Sequence, residues 1–225
     1  MIKRLLKFAV LKIKGRSIVF DDAVRNADLL SLVFRNTLAA LRGIIKLRQV
    51  VLLGKSVTLR SKYNMQLEKG ITIGDYSTLD ALSLNGLRIG ASSSIGSFSI
   101  LKVSGTLTSI GNKIDIGKNV GIGDFAHIGG AGGVVIGNDT IAGAYLSLHP
   151  ENHVFTDKQQ LIREQGVTRK GIIIGSNCWI GAKVTVLDGS QVGNGCVIAA
   201  GAVVNGIFPD NVVIGGVPAK ILKEI

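Results

Sequence analysis

The stretch "NCWIGAKVTVLDGSQVGNGCVIAAGAVV", residues 177–204, sets Ile180, Val186, Val192, Ile198 and Val204 at every sixth position. A helix repeats every 3.6 residues and a strand every two, so six belongs to neither. It suits a short extended segment, in which alternate side chains share a face, followed by a corner. A Gly or other small residue follows most of the aliphatic positions, where a corner needs positive φ or tight packing. One aliphatic side chain per segment points inward. Three segments close a triangular coil, and coils stack by parallel strand pairing about 4.8 Å apart. The two cysteines, Cys178 and Cys196, fit this geometry: they lie 18 residues apart, one whole coil. They suggest neither a disulfide framework nor a zinc ribbon, but a reduced, packed pair.

The same aliphatic-Gly pair occurs at Ile73-Gly74, Ile89-Gly90, Ile95-Gly96, Ile110-Gly111, Ile116-Gly117, Ile122-Gly123, Ile128-Gly129 and Ile136-Gly137. The reading is an all-β solenoid over 50–225, with one excursion loop, 149–171, and a short C-terminal tail. Apolar residues make up 46% of the 225-residue chain, which is ample for a core. Thirty glycines without a period of three exclude collagen.

Residues 1–49 form a different, basic segment. Positions 1–62 hold 14 Lys/Arg against 3 Asp, whereas the remainder holds 12 of each sign. The spacing in "DDAVRNADLLSLVFRNTLAALRGIIKL" is helical, and amphipathic helices are expected over 3–14 and 22–42. Asp21 or Asp22 is the expected cap, and Gly43 the expected end. Such helices either cover the open end of a solenoid or lie on an anionic membrane surface. Nucleic acid is not an expected partner, because stacking aromatics are scarce at 5% of the chain. The opening "MIKRLLKFAVLKIKG" is broken by Lys7 and Lys12 and lacks a small-residue cleavage site, so it is a poor signal peptide. It is also too short to span a bilayer. The expected location is cytoplasmic, with the inner face of the membrane as the place where basic helices would act.

The chain has three histidines, His127, His149 and His153, and two of them lie in "LHPENHVFTDKQQLIREQGVTRKGI", the long interruption. Excursions from a regular scaffold are commonly functional. Neutral imidazole suits general-base work, such as deprotonating a hydroxyl that attacks an activated carbonyl. His127 and His153 fall about one coil apart near different corners. A threefold assembly, with one prism's corner facing its neighbour's, is the expected way to bring such groups together.

"IIIGSNCWIGAKVTVLDGSQVGNGCVIAAGAVV" followed by "FPDNVVIGGVPAKILKEI" resembles the hexapeptide-repeat acyltransferases, and more narrowly the sugar O-acetyltransferases. That group includes galactoside and maltose acetyltransferases and those of capsule and O-antigen synthesis. The resemblance implies a left-handed parallel β-helix, a homotrimer, and acetyl-CoA as co-substrate, with no metal. It implies acetyl transfer to a hydroxyl of a free or glycolipid-linked sugar, in surface-polysaccharide biosynthesis. "IGNDTIAGAYLSLHPENH", 136–153, matches the family segment that ends in the catalytic base, which implies His153 for that role. It implies acceptor contact by His127, where the family usually carries Asn; His149 and Arg163 are further acceptor-side candidates. Trp179 and Ala182 match the donor-channel hexad, with the Ala182 backbone N–H facing the thioester oxygen. Ala200 matches a position lining the pantetheine channel, and Lys220 a basic position near the nucleotide phosphates. Asn205-Gly206 stands where the family often has Thr-Lys. Three alternatives stay open: an amine acceptor on an amino-sugar or amino acid; a zinc enzyme like the γ-class carbonic anhydrases, which use three histidines on the same scaffold; and a non-enzymatic scaffold.

Overall fold

The computed structural model describes Lys3, Leu6, Lys7, Val10, Leu11 and residues 18–225. The chain winds into a left-handed parallel β-helix with three faces. The first face has nine strands, from Leu52–Leu53 to Ala219–Glu224; the second and third have seven each. Every coil contributes one strand to each face, in register with the coils before and after it. Trp179, for example, pairs with Ile141 on one side and Val197 on the other. The five aliphatic residues of the opening stretch line the axis, each 2% exposed or less. Cys178 and Cys196 are buried free thiols, and burial pushes the Cys178 thiol above its ordinary pKa.

The glycines after the aliphatic residues answer to packing, not to φ. A Cβ on Gly74 would stand 2.4 Å from the Ser97 backbone nitrogen of the next coil. Positive φ falls two residues later, at Tyr76, Phe98, Phe125 and Tyr145, where φ is 57–62°. Their rings stack in a column along the edge between the first and second faces, with centroids 5.0–5.2 Å apart. Ile110-Gly111 is not a coil segment. It lies in a loop between strands Ile100–Lys102 and Ile114–Ile116, and its six-residue distance to Ile116 is coincidental.

Helix α1 spans Asn26–Leu47. It starts later than expected, because Asp21 makes a local turn by accepting the Ala23 N–H at 2.9 Å. Asp28 instead takes the free Arg25 N–H at 3.2 Å. The helix also runs past Gly43 to a left-handed Arg48. Gly43 is a contact residue: a Cβ there would fall 1.9 Å from the Val51 carbonyl oxygen. Arg42 donates to the Leu53 carbonyl and Lys46 to the Val57 carbonyl at 2.8 Å, clamping the C-terminal half of the helix to the first coil. The expected helix over 3–14 lies for the most part outside the described residues. At the opposite end the segment containing GVPAK closes the prism as an antiparallel hairpin, Val212–Gly216 with Ala219–Glu224.

The excursion leaves after the second face and is ordered by its own pairing. Asn152–His153 runs antiparallel to Val167–Thr168. Arg169 pairs with Glu151 at 2.9 Å, and Asp188 accepts the N–H groups of Lys170 and Gly171, both at 2.8 Å.

Alternation within one strand gives a direct check on this architecture. In Ile172–Ile174, Ile174 is buried and Ile173 is half exposed. Urea unfolding should show Ile174→Ala losing about 2–5 kcal/mol of stability and Ile173→Ala well under half of that.

Candidate active site

The edge between the first and second faces carries a ladder of hydrogen bonds that stops partway up. In the lower coils the corner N–H is taken by a side-chain oxygen of the next coil. Asp75 accepts from Lys55 at 2.7 Å, Ser97 from Asp75 at 3.2 Å, and Asp124 from Ser97 at 2.7 Å. The same column then becomes Ala144, Ala182 and Ala200, which have no side-chain acceptor. The N–H groups of Asp124, Ala144 and Ala182 therefore meet no such partner. Ala182 is exposed and its N–H donates to no atom among the described residues. The coils approach as closely here as lower down, again at glycines: a Cβ on Gly143 would stand 2.7 Å from the Ala182 nitrogen, and one on Gly181 2.5 Å from that of Ala200. An exposed, preorganised N–H of this kind suits a developing oxyanion, whereas a capped one does not. Trp179 stands 58% exposed on the first face, three residues before Ala182. Lys220 lies exposed on the closing hairpin, paired with Gly215.

The three histidines divide into a pair and a single. His127 and His149 project from adjacent strands of the second face, with ring centroids 5.6 Å apart. Register sets Ser147 beside His127, and the Ser147 hydroxyl shares a 2.7 Å hydrogen bond with His149 Nε2. Burial holds the His127 imidazole below its ordinary pKa, and the neighbouring His149 and Lys102 add to this. These neighbours favour the neutral form of the His127 ring. Nothing in the sequence signals the His127–His149 stack, because the small insertion at 129–133 obscures the register.

His153 stands apart on the excursion hairpin, exposed and paired through its backbone with Val167. It lines a surface groove with Val154, Phe155, Thr156 and Thr168. Arg163 is exposed in the 3₁₀ turn Ile162–Glu164, farther out on the same excursion. Arg169 is committed to Glu151 and to the Ile110 carbonyl. Within one chain, the Ala182 N–H and His153 belong to different edges of the prism. Ala182 precedes the second face, and His153 follows it. Among the described residues no three His, Cys, Asp or Glu side chains converge to hold a metal ion.

Fold and repeat together define a hexapeptide-repeat β-helix. Residues 171–206 match the family model described as bacterial transferase hexapeptide (six repeats). The chain is 35% identical over 113 residues to WbbJ of Escherichia coli K12, whose name assigns it provisionally as a lipopolysaccharide biosynthesis O-acetyl transferase. That match covers 47% of this chain and 58% of WbbJ. It is 32% identical over 121 residues to galactoside O-acetyltransferase of the same organism, covering 52% of this chain and 57% of that protein. The chain thus spans little more than half the length of these relatives. Among solved structures, a point mutant of AntD, an N-acyltransferase from Bacillus cereus bound to coenzyme A and dTDP-4-amino-4,6-dideoxyglucose, superposes with a TM-score of 0.56. It shares 15% identity, over 82% of this chain and 88% of that one, and so shares the fold alone.

The His127 environment makes a titration prediction. In an NMR pH titration, the His127 ring should protonate at lower pH than an ordinary imidazole. In His149→Gln it should protonate at higher pH than in the wild type, because one of the neighbours that hold it down has gone.

Proposed function

We propose that the chain is an acetyl-CoA-dependent O-acetyltransferase that acts on a sugar hydroxyl in surface-polysaccharide biosynthesis. The observation that carries this reading is the switch of the corner column from Asp and Ser to Ala144, Ala182 and Ala200. It frees a backbone N–H and removes the side-chain oxygen from the edge in the hexad that also carries Trp179. A thioester laid along this edge would set its carbonyl oxygen on the Ala182 N–H. The thin pantetheine arm would pass Ala200, with Lys220 toward the phosphates. The names of the relatives, a lipopolysaccharide O-acetyl transferase and a galactoside O-acetyltransferase, agree with a sugar acceptor and a hydroxyl nucleophile.

His153 is the base in this reading. It is exposed, it lies on a hairpin fixed by its own pairing, and it faces a groove with room for an acceptor. The sugar hydroxyl gives its proton to His153 as its oxygen attacks the thioester carbonyl. The tetrahedral oxyanion rests on the Ala182 N–H. Collapse breaks the carbon–sulfur bond, and His153 returns the proton to the departing thiolate, leaving acetyl-sugar and free coenzyme A. Alignment of two bound substrates supplies much of the rate, and no metal takes part. Because His153 and Ala182 lie on different edges of one prism, the working unit is a homotrimer in which one copy's His153 meets the donor edge of the next. His127, His149 and Arg163 lie toward the acceptor. The reaction runs in the cytoplasm, where acetyl-CoA is made.

Thiol release from acetyl-CoA with a panel of sugars tests the chemistry. His153→Ala should lower kcat/KM by about 10²–10⁴-fold. Undiminished turnover would remove His153 from the mechanism. Ala200→Asp restores the missing rung of the ladder over the Ala182 N–H. It should lower kcat about 10²–10³-fold while the trimer persists in sedimentation. A variant as fast as the wild type would separate that N–H from catalysis.

A further inference from the structure

Helix α1 has two apolar faces and uses only one of them. The inner strip, Leu29, Ala39 and Gly43, is buried, and Leu47 packs against the solenoid core. Leu30, Phe34, Leu38, Leu41 and Ile45 recur at intervals of three and four residues and form a second stripe on the side of the helix away from Ala39 and Gly43. All five are exposed, Phe34 at 66% and Ile45 at 79%, and Val33 and Ile44 widen the stripe. Exposed apolar surface on this scale, gathered on one helix, marks a docking surface.

Charge decides what docks there. The first 20 residues carry six Lys/Arg and no acid, and within α1 Asp28 is the sole acid against Arg35, Arg42 and Lys46. Arg42 and Lys46 are spent on the first coil, but Arg35 on the flank and Arg48 at the end of the stripe are exposed. Two copies of so basic a segment repel each other, whereas anionic lipid headgroups attract both. No described helix is long and apolar enough to cross a membrane. An apolar stripe bordered by cations fits a helix lying in the plane of the interface.

We infer that α1, with the basic residues that precede it, docks the protein on an anionic lipid surface, its outer stripe sunk among the acyl chains. The solenoid is held at the membrane by its first-coil end. The inference stands independently of the acyl-transfer chemistry.

Flotation of the full chain with vesicles tests it, comparing phosphatidylcholine alone with phosphatidylcholine carrying about one-third phosphatidylglycerol. The wild type should float with the anionic vesicles at low salt and stay behind with the neutral ones. Phe34→Glu combined with Leu41→Glu should weaken partition by about tenfold or more, with the circular dichroism spectrum and acetyl-CoA turnover unchanged. A second variant, Lys3, Lys7, Lys12 and Lys14 each replaced by Gln, leaves the stripe intact and should also lose anionic binding by about tenfold. Three results would overturn the inference: wild type that ignores anionic vesicles, variants that bind as well as wild type, or a fall in sedimentation mass in the Glu variant. The last would show that the stripe is covered by another copy of the chain.

Discussion

Backbones stacked about 4.8 Å apart leave no room for a Cβ at the first residue of each corner. That single steric limit fixes Gly54, Gly74, Gly96, Gly123, Gly143 and Gly181 in one column, each within 2.4–2.7 Å of a nitrogen in the next coil. The following residue then has its N–H directly beneath the next coil's side chain. Whether that side chain is Asp, Ser or Ala decides whether the N–H is spent on the scaffold or turned outward. The lower coils spend it, and the upper coils do not. Scaffold and candidate site are thus built from the same repeat, and one column position separates them.

The period of six made the solenoid legible, because an inward aliphatic residue is required once per segment and nothing else in protein structure asks for that interval. Handedness was not legible from the period and came through the family resemblance. The role expected of glycine holds only in half: close packing is there, while positive φ belongs to Tyr76 and its stacked neighbours two residues on. Ile110-Gly111 shows the cost of counting alone, since a loop can hold a coil's spacing without a coil. The helix was legible in its apolar pattern, but its end was not. Gly43 looked like a stop signal, and only the approach of Val51 explains it as a contact.

The candidate site was legible where it follows the repeat and hidden where it depends on register. Trp179, Ala182 and Ala200 stand in an uninterrupted run and fall where the hexads put them. The histidines flank insertions. The pairing of His127 with Ser147, and the stacking of its ring on His149, emerge only in the folded chain. The same holds for the outer stripe of α1: a sequence shows that a helix is apolar on two sides, but not which side the solenoid takes.

The most direct test is the structure of the protein crystallised with coenzyme A. The predicted result sets the thiol within about 3–4 Å of the Ala182 nitrogen, the pantetheine arm along Ala200, and His153 of a neighbouring copy facing the sulfur. Coenzyme A bound along the capped part of the edge, beside Asp75 and Ser97, or against a lone subunit, would contradict it.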